Sequence, residues 1–250
     1  MKRAIVAITL LTLGATLPGA VAADEPEAMA DVRVLHAAGG ASAVDIFASG
    51  AQLGGPLDYG QITDYIEVPA GVYQVQVVPS GSTPAAGSSV IDTQLELAPE
   101  TMTTVVASGS LDAGIVPVVL LDAPEPGDAI SQIRFSHFVF YAPPVDIAAD
   151  GAEVIVPDLA FAQSAGYLDL PEGEYDLELR LAGTSDVVFD ADPVTLDDQT
   201  SLSVFVIGNV ADGSFSIVSA VDASPDLRTQ IEEGLEDLEE EIEELFEDDE

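Results

Sequence analysis

One pattern is written twice in this chain, and that duplication limits the possible folds more than any other feature. Arg33-Val34-Leu35-His36 recurs as Arg134-Phe135-Ser136-His137, and Val44-Asp45-Ile46 as Val145-Asp146-Ile147. The stretch from Tyr65 through Val68-Pro69-Ala70-Gly71 to Tyr73 matches Tyr167 through Leu170-Pro171-Glu172-Gly173 to Tyr175. Thr101 to Gly109 matches Thr200 to Gly208, and each copy closes on Asp-Ala, at Asp122-Ala123 and Asp222-Ala223. Order and spacing agree over about a hundred residues, the length of an ordinary small domain. Two copies of one fold are expected.

Within each copy the apolar residues recur every second position, the period of a strand with one buried and one wet face. Tyr73-Gln74-Val75-Gln76-Val77 and Tyr175-Asp176-Leu177-Glu178-Leu179 alternate without error. About seven strands are expected per copy, a count typical of immunoglobulin-like sandwiches. In the first they fall near 32–36, 43–48, 62–68, 72–78, 90–97, 102–108 and 115–121. In the second they fall near 132–138, 144–148, 164–170, 174–181, 187–195, 201–207 and 215–221. Pro69-Ala70-Gly71 and Pro171-Glu172-Gly173 read as hairpin bends, proline presetting one turn position and glycine supplying positive φ. The fold class is therefore all-β: two tandem immunoglobulin-like antiparallel β-sandwich domains, at 31–122 and 131–222, joined by a short linker at 123–130.

The ends of the chain follow other rules. Lys2 and Arg3 precede an apolar stretch from Ala4 to Leu13, and Ala20-Val21-Ala22 is a small-x-small cleavage pattern. Residues 1–22 thus read as a signal peptide, and the mature chain as exported: periplasmic, cell-surface or extracellular. At the other end, Ile231, Leu235, Leu238, Ile242 and Leu245 are spaced four, three, four and three, with acids between them. Residues 226–250 are expected to form an acidic amphipathic helix. Its stripe would meet a partner or a second copy, giving a coiled-coil homo-oligomer that needs salt to screen the acidic flanks.

Charge narrows the function. The chain holds 45 acidic and 6 basic residues, a formal net charge of −39. Nucleic acid and anionic membrane surfaces are excluded as partners, since both require cationic side chains. Lysine is absent beyond the leader and acids are spread over both halves. That fits a cell living in concentrated salt, where a screening length of roughly 3 Å at 1 M makes self-repulsion tolerable. There is no cysteine, hence no disulfide and no thiolate metal site.

Few residues suggest chemistry. His36 and His137, the only histidines, are each followed nine positions later by an aspartate. An imidazole so placed could serve a metal or acid–base role. Strand parity, however, turns His36 inward with Val32 and Val34, and Asp45 outward from Val44 and Ile46. The same parity puts Arg33 beside Asp45 and Arg134 beside Asp146, predicting one cross-strand ion pair per copy, each worth about 0.2–1 kcal/mol. Loop carboxylates Glu125 with Asp128, Asp190 with Asp192, and Asp197 with Asp198 are the remaining candidates for loosely bound cations. No G-x-S-x-G motif or phosphate-binding glycine loop is present, so no catalytic residue and no cofactor is assigned.

The combination of Arg-Val-x-His, Val-Asp-Ile and Tyr-x-x-x-Pro-x-Gly-x-Tyr resembles a secreted prokaryotic family, domain of unknown function 4397. The resemblance spans residues 31 to 222. Ala37-Ala38-Gly39-Gly40 and Phe138-Val139-Phe140-Tyr141 depart from the Ser-Pro turn that members often carry after the histidine. The resemblance implies an exported, cell-surface location and no mechanism. The expected function is a non-enzymatic envelope or extracellular module binding a protein or glycan. The alternatives are a carboxylate-rich cation-binding surface protein and, last, a hydrolase using His36 or His137.

Overall fold

The computed structural model describes residues 28–85, 88–124, 130–149, 151, 153–211 and 213–224. The expected leader, the stripe from Ile231 to Leu245, and Glu125 with Asp128 lie outside these. The described residues form strands and turns without a helix.

The first repeat contains β1 (Met29–Gly39), β2 (Val44–Ala48), β3 (Ala51–Leu57), β4 (Ile66–Pro69), β5 (Gly71–Pro79), β6 (Ile91–Leu97), β7 (Met102–Ser110) and β8 (Gly114–Asp122). Two four-stranded sheets result, in the orders β4-β1-β7-β8 and β3-β2-β5-β6. Val32, Val34, Ile46, Val75, Val77 and Val105 meet between them in a dry core. β3 is an eighth strand that the sequence pattern missed. Its Gly54-Gly55-Pro56 lacks alternation, and it pairs with β2 through shifts in register.

The second repeat repeats this plan with more interruptions. Its strands are β9 (Ser131–Phe140), β10 (Val145–Ala149), β11 (Glu153–Leu159), β12 (Gln163–Ser164), β13 (Leu168–Leu170), β14 (Gly173–Tyr175), β15 (Leu177–Leu181), β16 (Val187–Asp190), β17 (Val194–Leu196), β18 (Ser201–Asn209) and β19 (Ser214–Ala223). One sheet runs β12-β9-β18-β19, with β13 also on β9; another runs β11-β10-β15-β16, and β14 pairs with β17. Phe135, Ile147, Leu177, Leu179, Val204 and Val206 fill the space between the layers.

Two expectations need correction. The sheets are not purely antiparallel: β1 runs parallel to β7, and β9 parallel to β18, over nine paired positions each. These connections link the start of each repeat to its end, and no local sequence pattern reports such distant pairing. Pro69-Ala70-Gly71 is also not a hairpin. β4 pairs with β1, whereas β5 pairs with β2 and β6, so the bend carries the chain from one sheet to the other. Pro171-Glu172-Gly173 does the same between β13 and β14.

The repeats share a third core. Leu35, Ala37 and Val106 of the first pack with Phe138, Phe205 and Ile207 of the second. The β1–β7 and β9–β18 sheets are therefore covered on both faces, and the molecule is four sheets deep. Strands of a sheet covered on both faces are buried almost without a break, as β7 and β18 are here, β18 with an apolar run from Val204 to Ile207 and β7 with small Thr, Ser and Gly among its apolar residues.

Candidate binding cleft

The two matched arginines find their carboxylate partners in the opposite repeat. Arg33 does not meet Asp45. Parity points Arg33 away from its own core as expected, but that face is covered by the second repeat. Its Nη2 donates to Asp222 and its Nη1 to the Val221 carbonyl at 3.1 Å, while Nε donates to Thr104 at 2.8 Å. Arg134 mirrors this: Nη2 to Asp122, Nη1 to the Leu121 carbonyl at 3.2 Å, and Nε to Ser203 at 3.0 Å. Each aspartate also accepts from its own repeat, Asp122 from Tyr65 and Thr104, Asp222 from Tyr167 and Ser203. The guanidinium carbons sit 4.4 Å and 4.9 Å from the ring centres of Tyr65 and Tyr167.

Buried arginines and aspartates, edged by half-buried tyrosines and with Arg33 also 3.9 Å from Asp122, form a reciprocal network that clamps one repeat to the other. Burial works against the charge on Arg134, but Asp122, Tyr167 and Asp222 more than offset it and raise its pKa. The phenols of Tyr65 and Tyr167 are both raised far above 10.0, chiefly by burial. Every polar group here is satisfied within the protein, which is a structural role. Asp45 and Asp146 are satisfied separately: Asp45 accepts from the Gly81 and Ser80 groups, Asp146 from the Asp158 and Gly183 amides. They fasten turns to the outer sheets.

The histidines are likewise absorbed by the fold. His36 and His137 are buried, and each Nδ1 accepts the amide proton two residues ahead, at 3.3 Å. That fixes the proton of the neutral ring on Nε2, which His36 donates to the Ser42 carbonyl at 3.1 Å. Burial lowers both pKa values, opposed in part by the carbonyls of Ser42 and Pro143 and, for His36, by Asp58. No group of three His, Cys, Asp or Glu side chains gathers among the described residues. The hydrogen bonds that the rings make run to backbone groups, not to a hydroxyl or a carboxylate.

Asp190 and Asp192 stand elsewhere, on the open flank of the second sandwich. In the first repeat β6 is unbroken and pairs with β5 along its whole length. In the second, Phe189 pairs with Leu179 as Ile91 pairs with Val77, and Val194 with Tyr175 as Leu95 with Tyr73. One extra residue therefore lies between β16 and β17, and the ladder breaks at Asp192-Pro193, since the Ala191 amide still bonds the Leu177 carbonyl at 3.0 Å and its side chain stays in the core. Proline cannot donate to a ladder, which favours such a break. The gap is a cleft of about 600 Å³, with Asp190, Asp192 and Thr195 on one bank and Ser216, Ile217 and Ser219 of β19 on the other. Phe189 and Phe215 stack at 5.7 Å across it.

Phe215 also lines an apolar pocket of about 120 Å³ that runs on under the β9–β10 loop, past Val188, Val210 and Pro143. Beside its roof the same loop presents Tyr141, exposed at φ 61° and packed on Phe140 at 4.1 Å between ring centres. Phe140 in turn meets Phe161. At the matching positions the first repeat has Gly39 and Gly40, and a void of about 30 Å³ lies within its core. The sequence named Asp190 and Asp192 but not the aromatic residues or β19 around them. The signal was there in the mismatch between copies: an inserted residue, a proline, and aromatics where the other copy has glycine.

No curated protein sequence matches the chain. Among solved structures it is similar to a family 26 carbohydrate-binding module of Eubacterium rectale Amy13K, crystallised with maltoheptaose. That match has 10% identity and a TM-score of 0.24, covering 79% of this chain and 98% of the other. It is also similar to a leucine-rich repeat protein of Bacteroides thetaiotaomicron, at 11% identity and a TM-score of 0.19, covering 73% of this chain and 26% of that one. Likenesses this slight carry neither fold nor ligand. The family comparison is decisive: a model of an uncharacterised domain matches residues 30–138 and again 131–231. The chain thus belongs to the family described as Domain of unknown function (DUF4397), which it carries as two tandem copies.

Proposed function

We propose that this chain is an exported, non-enzymatic binding module for a protein or glycan, and that the cleft of the second repeat is where the partner sits. One observation carries the reading: the two copies keep the same buried framework, and the second breaks its strand at Asp192-Pro193 beside an aromatic-floored, acid-rimmed cleft. Binding sites are concave, mostly apolar, and carry a few convergent polar groups. The first repeat and the buried arginine network then serve as the rigid support. The leader motif at Ala20-Val21-Ala22 supports export, and the excess of acids supports work in concentrated salt.

The test is a binding screen of the full chain at high salt against envelope polysaccharides and envelope proteins. Asp190→Asn/Asp192→Asn is compared with Asp92→Asn, the matching change in the first repeat. Partner binding should fall at least about tenfold in the double variant and hold in the control. Equal affinity for all three forms would remove the cleft from the function.

A further inference from the structure

The two sheets that meet in the middle of the molecule end in edge strands, β8 in the first repeat and β19 in the second. An edge strand exposes a row of unpaired amides and carbonyls that can template another strand, and proteins usually blunt it with proline or charge. β8 is blunted. Pro117 lies opposite Ala107, so the ring occupies a position whose nitrogen faces away from β7 and removes an outward donor.

β19 is not blunted. Ile217 occupies the equivalent place, opposite Val206, and from Ser214 to Val221 there is neither proline nor charge. Phe215, Ile217 and Ser219 have their backbone groups directed away from β18. The same parity aims the Val221 carbonyl outward, where it accepts from Arg33. Among the described residues no strand pairs with this edge. It forms one bank of the cleft, so a strand laid along it would present alternate side chains to Phe215 and Phe189, and to Asp190 and Asp192.

We propose that β19 accepts an extended peptide segment of a partner protein, added antiparallel or parallel to its free edge, with aliphatic and basic side chains alternating along the cleft face. This rests on the reading of the cleft as the binding site. Backbone pairing would supply affinity and the cleft would supply selectivity, as in other strand additions. The basic character follows from charge complementarity with Asp190 and Asp192. It also separates the partner from this chain's own segments: residues 226–250 contain fourteen acids and one arginine, and a second copy carries the same −39.

The probe is an eight-residue peptide in which Thr alternates with Val and Arg, set against the same peptide with Glu for Arg and against a neutral polysaccharide. Fluorescence anisotropy gives affinity, and amide hydrogen exchange of the full chain gives location. The Arg peptide should bind at least about tenfold more tightly than the Glu peptide and slow exchange at Phe215, Ile217 and Ser219. Ile217→Pro should cost at least about tenfold while leaving the fold intact, because the first repeat already holds proline at this position.

If Ile217→Pro binds the Arg peptide as well as the parent does, edge pairing is wrong. If Asp190→Asn/Asp192→Asn nonetheless weakens it, the cleft survives as the site; if neither variant matters, both readings fall. Failure of the parent to bind the Arg peptide, or preference for the polysaccharide, also overturns the proposal. Protection of those amides without peptide assigns the edge to the chain's own tail. If that protection grows with protein concentration, it assigns the edge to a second copy.

Discussion

The first repeat keeps the strand opposite β5 whole from Ile91 to Leu97, whereas the second splits it at Ala191-Asp192-Pro193. The surfaces facing each other differ in another way. Their polar groups are the same in both copies, Arg33 with Arg134, Tyr65 with Tyr167, and Asp122 with Asp222. Other positions on these faces are complementary in size: Ala37, Val106 and Ser108 in the first stand where Phe138, Phe205 and Ile207 stand in the second. Small residues of one copy thus accommodate large residues of the other. The charge pattern is common to both copies, whereas the side-chain sizes of each face fit its neighbour and not itself. The outer flanks lie away from that contact, and there one copy keeps its strand whole while the other breaks it.

If the two halves of the buried network are equivalent, removing either aspartate should cost the same. Asp122→Ala and Asp222→Ala each strand a buried arginine, a defect worth about 3–5 kcal/mol. Urea denaturation at one fixed high salt concentration measures both. Costs that differ by more than about half would show that one arginine has a second route to water, and the pseudo-symmetry would fail.

Packing should show the opposite, an inequality. Phe205→Ala empties a wholly buried ring from the shared core and should cost about 3–5 kcal/mol. Val106→Ala, its counterpart, removes two buried methyl groups and should cost about 2 kcal/mol. Equal losses in the same denaturation assay would mean that the two faces are not complementary in volume.

How much of this could be read beforehand depends on how far apart in sequence the partners lie. Alternation in Tyr73 to Val77 located a strand and its inner face correctly, because the information is local. Parity also turned His36 inward and Arg33 outward as the structure has them. What parity lacked was the identity of the outer cover. Arg33 was matched to Asp45 within its repeat, yet its acceptor lies 189 positions away. A clue was present in Val32 to Ala38, where both faces are apolar apart from Arg33 and His36. A strand with no wet face belongs to a sheet covered twice. The paired recurrence of Arg, Tyr and Asp was visible as a motif, but not as one cluster, since only the fold brings the ends of each repeat together.

The phenols sharpen the comparison at alkaline pH. Tyr65 and Tyr167 have folded pKa values raised above the usual 10.0, first by burial. A raised pKa gives stability that is complete below the unfolded value and drains as pH climbs above it. The parent should therefore weaken above pH 10, and Tyr65→Phe/Tyr167→Phe should flatten that limb. Each single variant should also lose about 1.5–3 kcal/mol near neutrality, through the missing hydrogen bond to a carboxylate. Unequal flattening by the two singles would expose a difference that the matched geometry does not contain.

The histidines give the smallest effect and the most direct comparison of the two interiors. Both rings have pKa values lowered by burial from 6.5, so the folded protein resists protonation while the unfolded chain accepts it. The sign follows: stability is complete above about 6.5 and falls as pH drops through the window beneath it. His36 has the Ser42 carbonyl at 3.1 Å to receive its Nε2 proton. The buried Nε2 of His137 lies towards the Pro143 carbonyl but does not close a hydrogen bond of normal geometry among the described residues. Nitrogen chemical shifts followed by NMR should show both rings protonated on Nε2 at neutral pH and titrating below 6.5. His137→Leu should remove that ring's share of the acid limb, adding only a pH-independent loss from the orphaned Val139 amide, and leave the His36 titration in place. If the His36 curve moves with it, the two sites are coupled through the shared core. The repeats would then have to be treated as a single titrating unit and not as two independent interiors.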